Sequence, residues 1–144
     1  MCPEWLINEF DLKKISKQTG LNEILSMCQN YFETDNYIFV HGWIPIDNYI
    51  NQYDPNWRNA SSDAWKKARW ANPLEMYKSK IFEPNKTIVC GHWHSSVFWS
   101  YFEPEKYTEF GASSKFDAFI TDEMIALDAC TVYSRKVNVV MIED

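Results

Sequence analysis

Between residues 4 and 17, Trp5, Leu6, Phe10, Leu12 and Ile15 recur with polar residues between them. That spacing lays the apolar side chains along one face of a helix, and Gly20 predicts where the helix ends. Ile24, Leu25 and Cys28 predict a second short helix over 22–31. The pattern then changes. Tyr37-Ile38-Phe39-Val40 and Thr87-Ile88-Val89-Cys90 are short β-type runs, and each predicts a strand. Val97-Phe98-Trp99, Met124–Leu127 and Val137–Ile142 predict three more, the last two joined by a turn near Ser134-Arg135-Lys136. Ser61-Ser62-Asp63 offers caps for a helix through Ala64–Ala71, which Pro73 would stop. Residues 43–60 are rich in Asn, Asp, Pro and Tyr and read as loop, and 100–116 read as irregular. Helices at the front, followed by strands with helical or loop excursions, make a mixed α/β pattern. The 144 residues suit one domain, divided into a helical amino-terminal segment over 1–36 and a sheet-bearing part over 37–144.

Composition narrows the classes. Apolar residues make up 46% of the chain and aromatic ones 17%, which fits a packed core and excludes a disordered tail. The net charge of −6 argues against a general nucleic-acid binder, whose affinity rests on cationic contacts to phosphate. An acidic protein can still handle phosphate when a metal supplies the positive charge. Cys2, Cys28, Cys90 and Cys130 stand far apart with no Cys-x-x-Cys, so reduced thiols are expected. The opening Met-Cys-Pro-Glu-Trp lacks the basic-then-apolar pattern of a signal peptide. No apolar run has membrane-spanning length. The expected setting is cytoplasmic, with neither a membrane nor a nucleic acid as partner.

The candidate chemistry lies in three histidines, His41, His92 and His94, each placed directly after a strand-like run. Ends of strands are rigidly held while the loops beyond them leave room for a ligand. Neutral imidazole is the commonest side-chain metal ligand. His92-Trp93-His94 has period two, so in an extended chain both rings face one side. If the chain turns after Gly91, which permits unusual backbone angles, the rings can serve one centre or two adjacent ones.

These segments resemble a family. Tyr37-Ile-Phe-Val-His41-Gly42 resembles the Val-His-Gly motif of calcineurin-like metallophosphoesterases, in the branch of serine/threonine protein phosphatases and diadenosine tetraphosphate hydrolases. Gly91-His92-Trp93-His94 resembles the Gly-His-x-His motif of the same superfamily, and the order of the two is right. The closing Ile125–Val139, with Asp128 after an apolar strand, resembles the strand–turn–strand that ends this branch. The resemblance covers residues 37–144. It implies the carboxy-terminal half of a four-layer α/β/β/α sandwich. It also implies two divalent ions, drawn from Mn, Fe, Zn or Co, that hydrolyse a phosphate ester. His41 and His92 would ligate one ion and His94 the other. Arg69, in Ala68-Arg69-Trp70, falls where that branch places an arginine on phosphate, as a planar guanidinium suits; Arg58 is a weaker competitor. Asp128 reads as a structural or ligand-orienting residue. Among Trp57, Trp65, Trp70, Trp93 and Trp99, only Trp93 is expected beside the site. The substrate would be a phosphorylated small molecule, a phosphoprotein or a dinucleoside polyphosphate.

The family's earlier motifs, Asp-x-His, Gly-Asp-x-x-Asp-Arg-Gly and Gly-Asn-His, have no counterpart here, since residues 1–40 contain no His and a single Gly. They supply the bridging carboxylate and the remaining ligands. The chain is therefore expected to start downstream of the third motif, to have little activity by itself, and to cover its apolar surface by self-association. Two other readings stay open. One is a mononuclear zinc enzyme with three histidine ligands. The other is an interaction domain that keeps the fold without the chemistry.

Overall fold

The computed structural model describes residues 23, 27–47 and 52–143. The helix expected over 4–17 lies outside them. Of the helix expected over 22–31, Glu23 and Met27 are helical, but Tyr31 begins a strand instead. That strand, β1 (Tyr31–Glu33), turns back through Thr34–Asn36 into β2 (Tyr37–Val40), with Phe32 opposite Phe39. Thr34 closes the turn twice, since its N–H donates to Tyr37 O at 2.9 Å and its hydroxyl accepts from Tyr37 N at 3.1 Å. A polar turn residue can do this without glycine.

β2 runs parallel to β5 (Thr87–Cys90), and β5 runs parallel to β7 (Met124–Ala126). β6 (Phe119–Ile120) closes the far edge antiparallel to β7. The order β1-β2-β5-β7-β6 makes a five-stranded mixed sheet, and the fold is mixed α/β. Parallel neighbours need crossovers. α1 (Ser62–Arg69) and α2 (Pro73–Lys78) supply the first, between β2 and β5, and α3 (Ser95–Phe102) the second, between β5 and β7. A two-strand hairpin, β3 (Ile46–Asp47) with β4 (Gln52–Tyr53), and a 3-10 turn over Trp57–Asn59 occupy the stretch read as loop. α4 (Thr131–Ser134) follows β7.

The central strands read as apolar runs because they are covered by the core. Ile38, Ile88, Met124 and Ala126 are wholly buried. They pack with Trp43, Trp57, Trp65, Leu74 and Phe98 from the crossovers. Trp43 keeps its indole N–H satisfied by donating to Ile81 O at 3.1 Å.

Ser61 caps α1 through Ala64 N at 3.2 Å, so the helix starts two residues before the expected span. The helix ends at Arg69, two residues short of the expected Ala71, and Pro73 instead opens α2, where Asn72 accepts from Leu74 N and Glu75 N. Val97-Phe98-Trp99 is helical and not a strand. A short apolar run can be a buried strand or one side of a buried helix, and here Ser95, Ser96, Val97 and Phe98 bury the start of α3. Residues 137–142 lie in no strand, because no ladder partner stands beside them among the described residues. Val137, Val139 and Met141 are exposed there. The turn near Ser134–Lys136 does form, with Arg135 left-handed at φ 61°.

Arg58 is consumed by an ion-pair network, not left free for phosphate. Its Nε donates to Glu33 at 2.8 Å and its Nη2 to Glu83 at 2.8 Å. Tyr53 Oη and Trp57 Nε1 also donate to Glu83, at 2.6 and 2.7 Å, and Lys86 pairs with Glu33 at 2.9 Å. The network ties β1, β4 and the 3-10 turn to the segment leading into β5. The Arg58 bonds, opposed by burial and joined by Lys86, hold the Glu33 carboxyl at about 2, against an ordinary 4.5. A depressed carboxyl pKa contributes stability above the unfolded value, and that stability is lost as pH falls through the folded one. Wild type should therefore lose stability relative to Glu33→Gln between about 4.5 and about 2. Urea midpoints of both proteins across that window measure it, and parallel curves would remove Glu33 from the network's energetics.

Candidate functional site

Two of the three histidines meet where β2 and β5 end. The two chains leave the sheet in step, with Gly91 N donating to His41 O at 2.9 Å. Just beyond, the His41 and His92 rings stand 4.9 Å apart between centroids. The backbone device is at His92 and not at Gly91. His92 adopts φ 66°, whereas Gly91 is absent from the left-handed residues, and a Cβ on Gly91 would meet His41 O at an ordinary 3.8 Å. Left-handed backbone is tolerated by histidine better than by most side chains. The reversal is fixed by Trp93 N donating to Gly91 O at 2.7 Å and Ser95 N to Asp128 O at 2.7 Å.

Gly42 sets the other wall. A Cβ there would lie 2.5 Å from Arg69 O and 2.7 Å from Ala68 O, so only glycine lets the exit of β2 touch the last turn of α1. Trp43 N donates to Ala68 O at 2.9 Å at the same crossing. Arg69 and Trp70 are brought to the histidines as a result. The Trp70 ring stands edge-on to His92 at 5.1 Å and to His41 at 6.0 Å. Trp70 is 68% exposed, so it borders the site from outside the core. Arg69 donates to Asn30 Oδ1 at 3.0 Å and shares with His41 a cavity of about 480 Å³, walled by Tyr31, Phe32 and Phe39.

Trp93, the indole expected at the site, is half-buried and packs against the core. Trp57 and Trp65 are core residues. Trp70, set aside with the other indoles as core, stands beside the histidines instead; a tryptophan just past a helix end carries no signal of its own. The one available clue was its place next to Arg69.

His94 does not join the pair. The turn after His92 brings Nδ1 of His94 to 2.8 Å from Ser96 Oγ on α3 and its Nε2 to 3.5 Å from Glu109 Oε1 in the 103–118 segment. Asp128 builds the turn after β7, with Oδ1 accepting from Cys130 N at 2.7 Å. The described residues hold no group of three or more His, Cys, Asp or Glu side chains set to bind a metal ion. Among them His41 and His92 are two neighbouring imidazoles. No helix among the described residues is long and apolar enough to cross a membrane. Comparison with protein-family models, with curated proteins and with solved structures finds no match to this chain.

His41 is suited to be a neutral donor. Desolvation, then His92 and then Arg69, push its pKa below the usual 6.5, and Asp128 opposes them. Removing the Arg69 charge should raise that pKa, and Asp128→Asn should lower it further. Histidine ring resonances followed against pH in Arg69→Gln and Asp128→Asn give both signs. An unmoved His41 midpoint in both variants would mean that neither charge reaches the ring.

Proposed function

We propose that this chain is the histidine-bearing, carboxy-terminal part of a metal-dependent phosphoesterase of the calcineurin-like type, in which its mixed sheet forms part of a four-layer sandwich. The observation that carries the reading is the convergence of His41 and His92 at the ends of adjacent parallel strands, with Arg69 alongside. The motif order in the sequence supports it independently.

In this reading His41 and His92 are two ligands of one ion, and the lowered pKa of His41 favours its neutral, coordinating form. A divalent ion held there would act as a Lewis acid toward water and phosphoryl oxygen. Arg69 orients the phosphate, since its guanidinium can donate twice to one phosphoryl group. Asn30, its present partner, holds it over the cavity beside His41. Trp70 screens the imidazole pair from one side. The aromatic walls of the cavity accept the organic part of a phosphorylated small molecule or peptide side chain. A three-histidine zinc site is less well supported, because His94 is engaged elsewhere.

A two-metal centre draws on bridging carboxylate and further ligands that this half-site lacks. The 144 residues alone should bind a divalent ion weakly and hydrolyse p-nitrophenyl phosphate little or not at all. Joined to a segment carrying the missing ligands, the protein should turn over, and His41→Ala or His92→Ala should each abolish both turnover and bound metal. Arg69→Ala should leave metal content unchanged and weaken inorganic-phosphate inhibition about tenfold to a hundredfold, as for loss of a charged hydrogen bond of roughly 1.5–3 kcal/mol. An unaltered phosphate inhibition constant returns Arg69 to the solvated face of α1. The exposed row of Val137, Val139 and Met141 further supports self-association of the chain by itself. Sedimentation should show a dimer or larger, and a clean monomer overturns that part.

A further inference from the structure

His94 sits two residues from His92 and serves a different structure. Its Nδ1 is the partner of Ser96 Oγ at 2.8 Å, and Ser96 is wholly buried at the start of α3. Its ring packs on Phe110, 4.9 Å between centroids, and on Phe116 at 6.2 Å. One neutral tautomer satisfies both nitrogens, with Ser96 O–H donating to Nδ1 and Nε2–H directed at Glu109.

The segment that His94 grips is a built object. Ser95 Oγ and Asn138 Nδ2 both donate to Phe116 O, at 2.8 and 2.7 Å. Trp99 Nε1 donates to Asp117 O at 2.8 Å. Gly111, at φ 100°, donates its N–H to Tyr133 Oη at 3.1 Å, and the Phe110 and Phe116 rings rest on Tyr133. The backbone around the two histidines is held by Trp93 N to Gly91 O, Ser95 N to Asp128 O and Val97 N to His94 O. His92 keeps its left-handed conformation there without a glycine's freedom. Such a conformation persists only where the surroundings over-determine it.

We infer that His94 is a positioning residue for His92 and not a third metal ligand: it clamps the 107–116 segment to the start of α3 and so fixes the reversal that aims His92 at His41. Reaching an ion held by His41 and His92 would take Nε2 from Glu109 and draw the His94 ring off Phe110 and Phe116. This assignment rests on the reading of His41 and His92 as a metal half-site.

Asparagine separates the two roles. Its amide oxygen can take the place of Nδ1, it has no atom at the Nε2 position, and it is itself a favourable N-cap residue for α3. The test uses the full 144-residue chain, with cobalt(II) as the probe and the His41 and His92 ring resonances of the metal-free protein as a second readout. His94→Asn should bind cobalt as wild type does, with both ring resonances near their wild-type positions. His94→Ala should displace the His92 resonance and weaken cobalt binding about 10–100-fold, the usual effect of losing a group that orients a ligand. His92→Asn should abolish binding. Should His94→Ala not fold, Ser96→Ala removes the same contact from the other side at small volume cost and should displace the His92 resonance likewise. A His94→Asn protein as defective as His92→Asn makes His94 a ligand and overturns the inference. So does an undisturbed His92 resonance in His94→Ala, or in Ser96→Ala where that variant stands in for it. If wild type takes up no cobalt, the half-site reading fails, and the ring resonances still decide whether His94 positions His92.

Discussion

The candidate site depends on the crossing of Gly42 over the last turn of α1. Two carbonyl oxygens, Arg69 O and Ala68 O, occupy the space that any side chain at this position would need. The crossing is therefore a contact between backbones, reinforced by Trp43 N bonding to Ala68 O. It fixes where α1 stops relative to β2. Arg69 and Trp70, the residues at that stop, fall beside His41 for the same reason. Burial of Trp43 immediately afterwards anchors the crossing in the core. One glycine thus couples the packing of the first crossover to the surroundings of an imidazole.

The second constraint is the register of the parallel pair. Tyr37 lies opposite Thr87 and Phe39 opposite Val89, so the two strands finish level with one another. A slip of two residues would keep every side chain on its own face and still carry the histidines apart. The register is held at the other end by Thr87 N bonding to Asn36 O and by Lys86 reaching both Glu33 and Thr34 O. The ion-pair network around Arg58 and Glu83 fastens the same end to β4 and the 3-10 turn. Pairing of His41 with His92 is in this sense decided at the opposite end of the sheet.

What the sequence disclosed follows the same physics. β2, β5 and β7 were legible because a short apolar run is a strong local signal, and β5 and β7 are almost wholly buried. Their terminal histidines were legible with them. α3 was not, because Val97-Phe98-Trp99 satisfies a buried strand and a buried helix equally, and only His94 and Ser95 at the turn decide the matter. β1 was hidden inside a stretch whose apolar spacing suited a helix. The alternation of 137–142 is a real strand pattern, but a ladder needs a neighbour, which no property of the segment itself provides. Trp70 is the clearest loss: its importance is set by where α1 ends against Gly42, a tertiary fact.

The divergence of His92 and His94 shows that period-two spacing alone does not fix which way two side chains face. Period two places side chains on one face only while the backbone stays extended. A left-handed residue at the first of the two positions breaks that relation, and His92 is such a residue. The turn it makes sends the chain into α3, so His94 becomes the N-cap position of that helix, with ψ 144°. Its ring is then directed by the helix start and by the aromatic cluster of Phe110, Phe116 and Tyr133. The turn that places His92 beside His41 is the same turn that carries His94 to the start of α3.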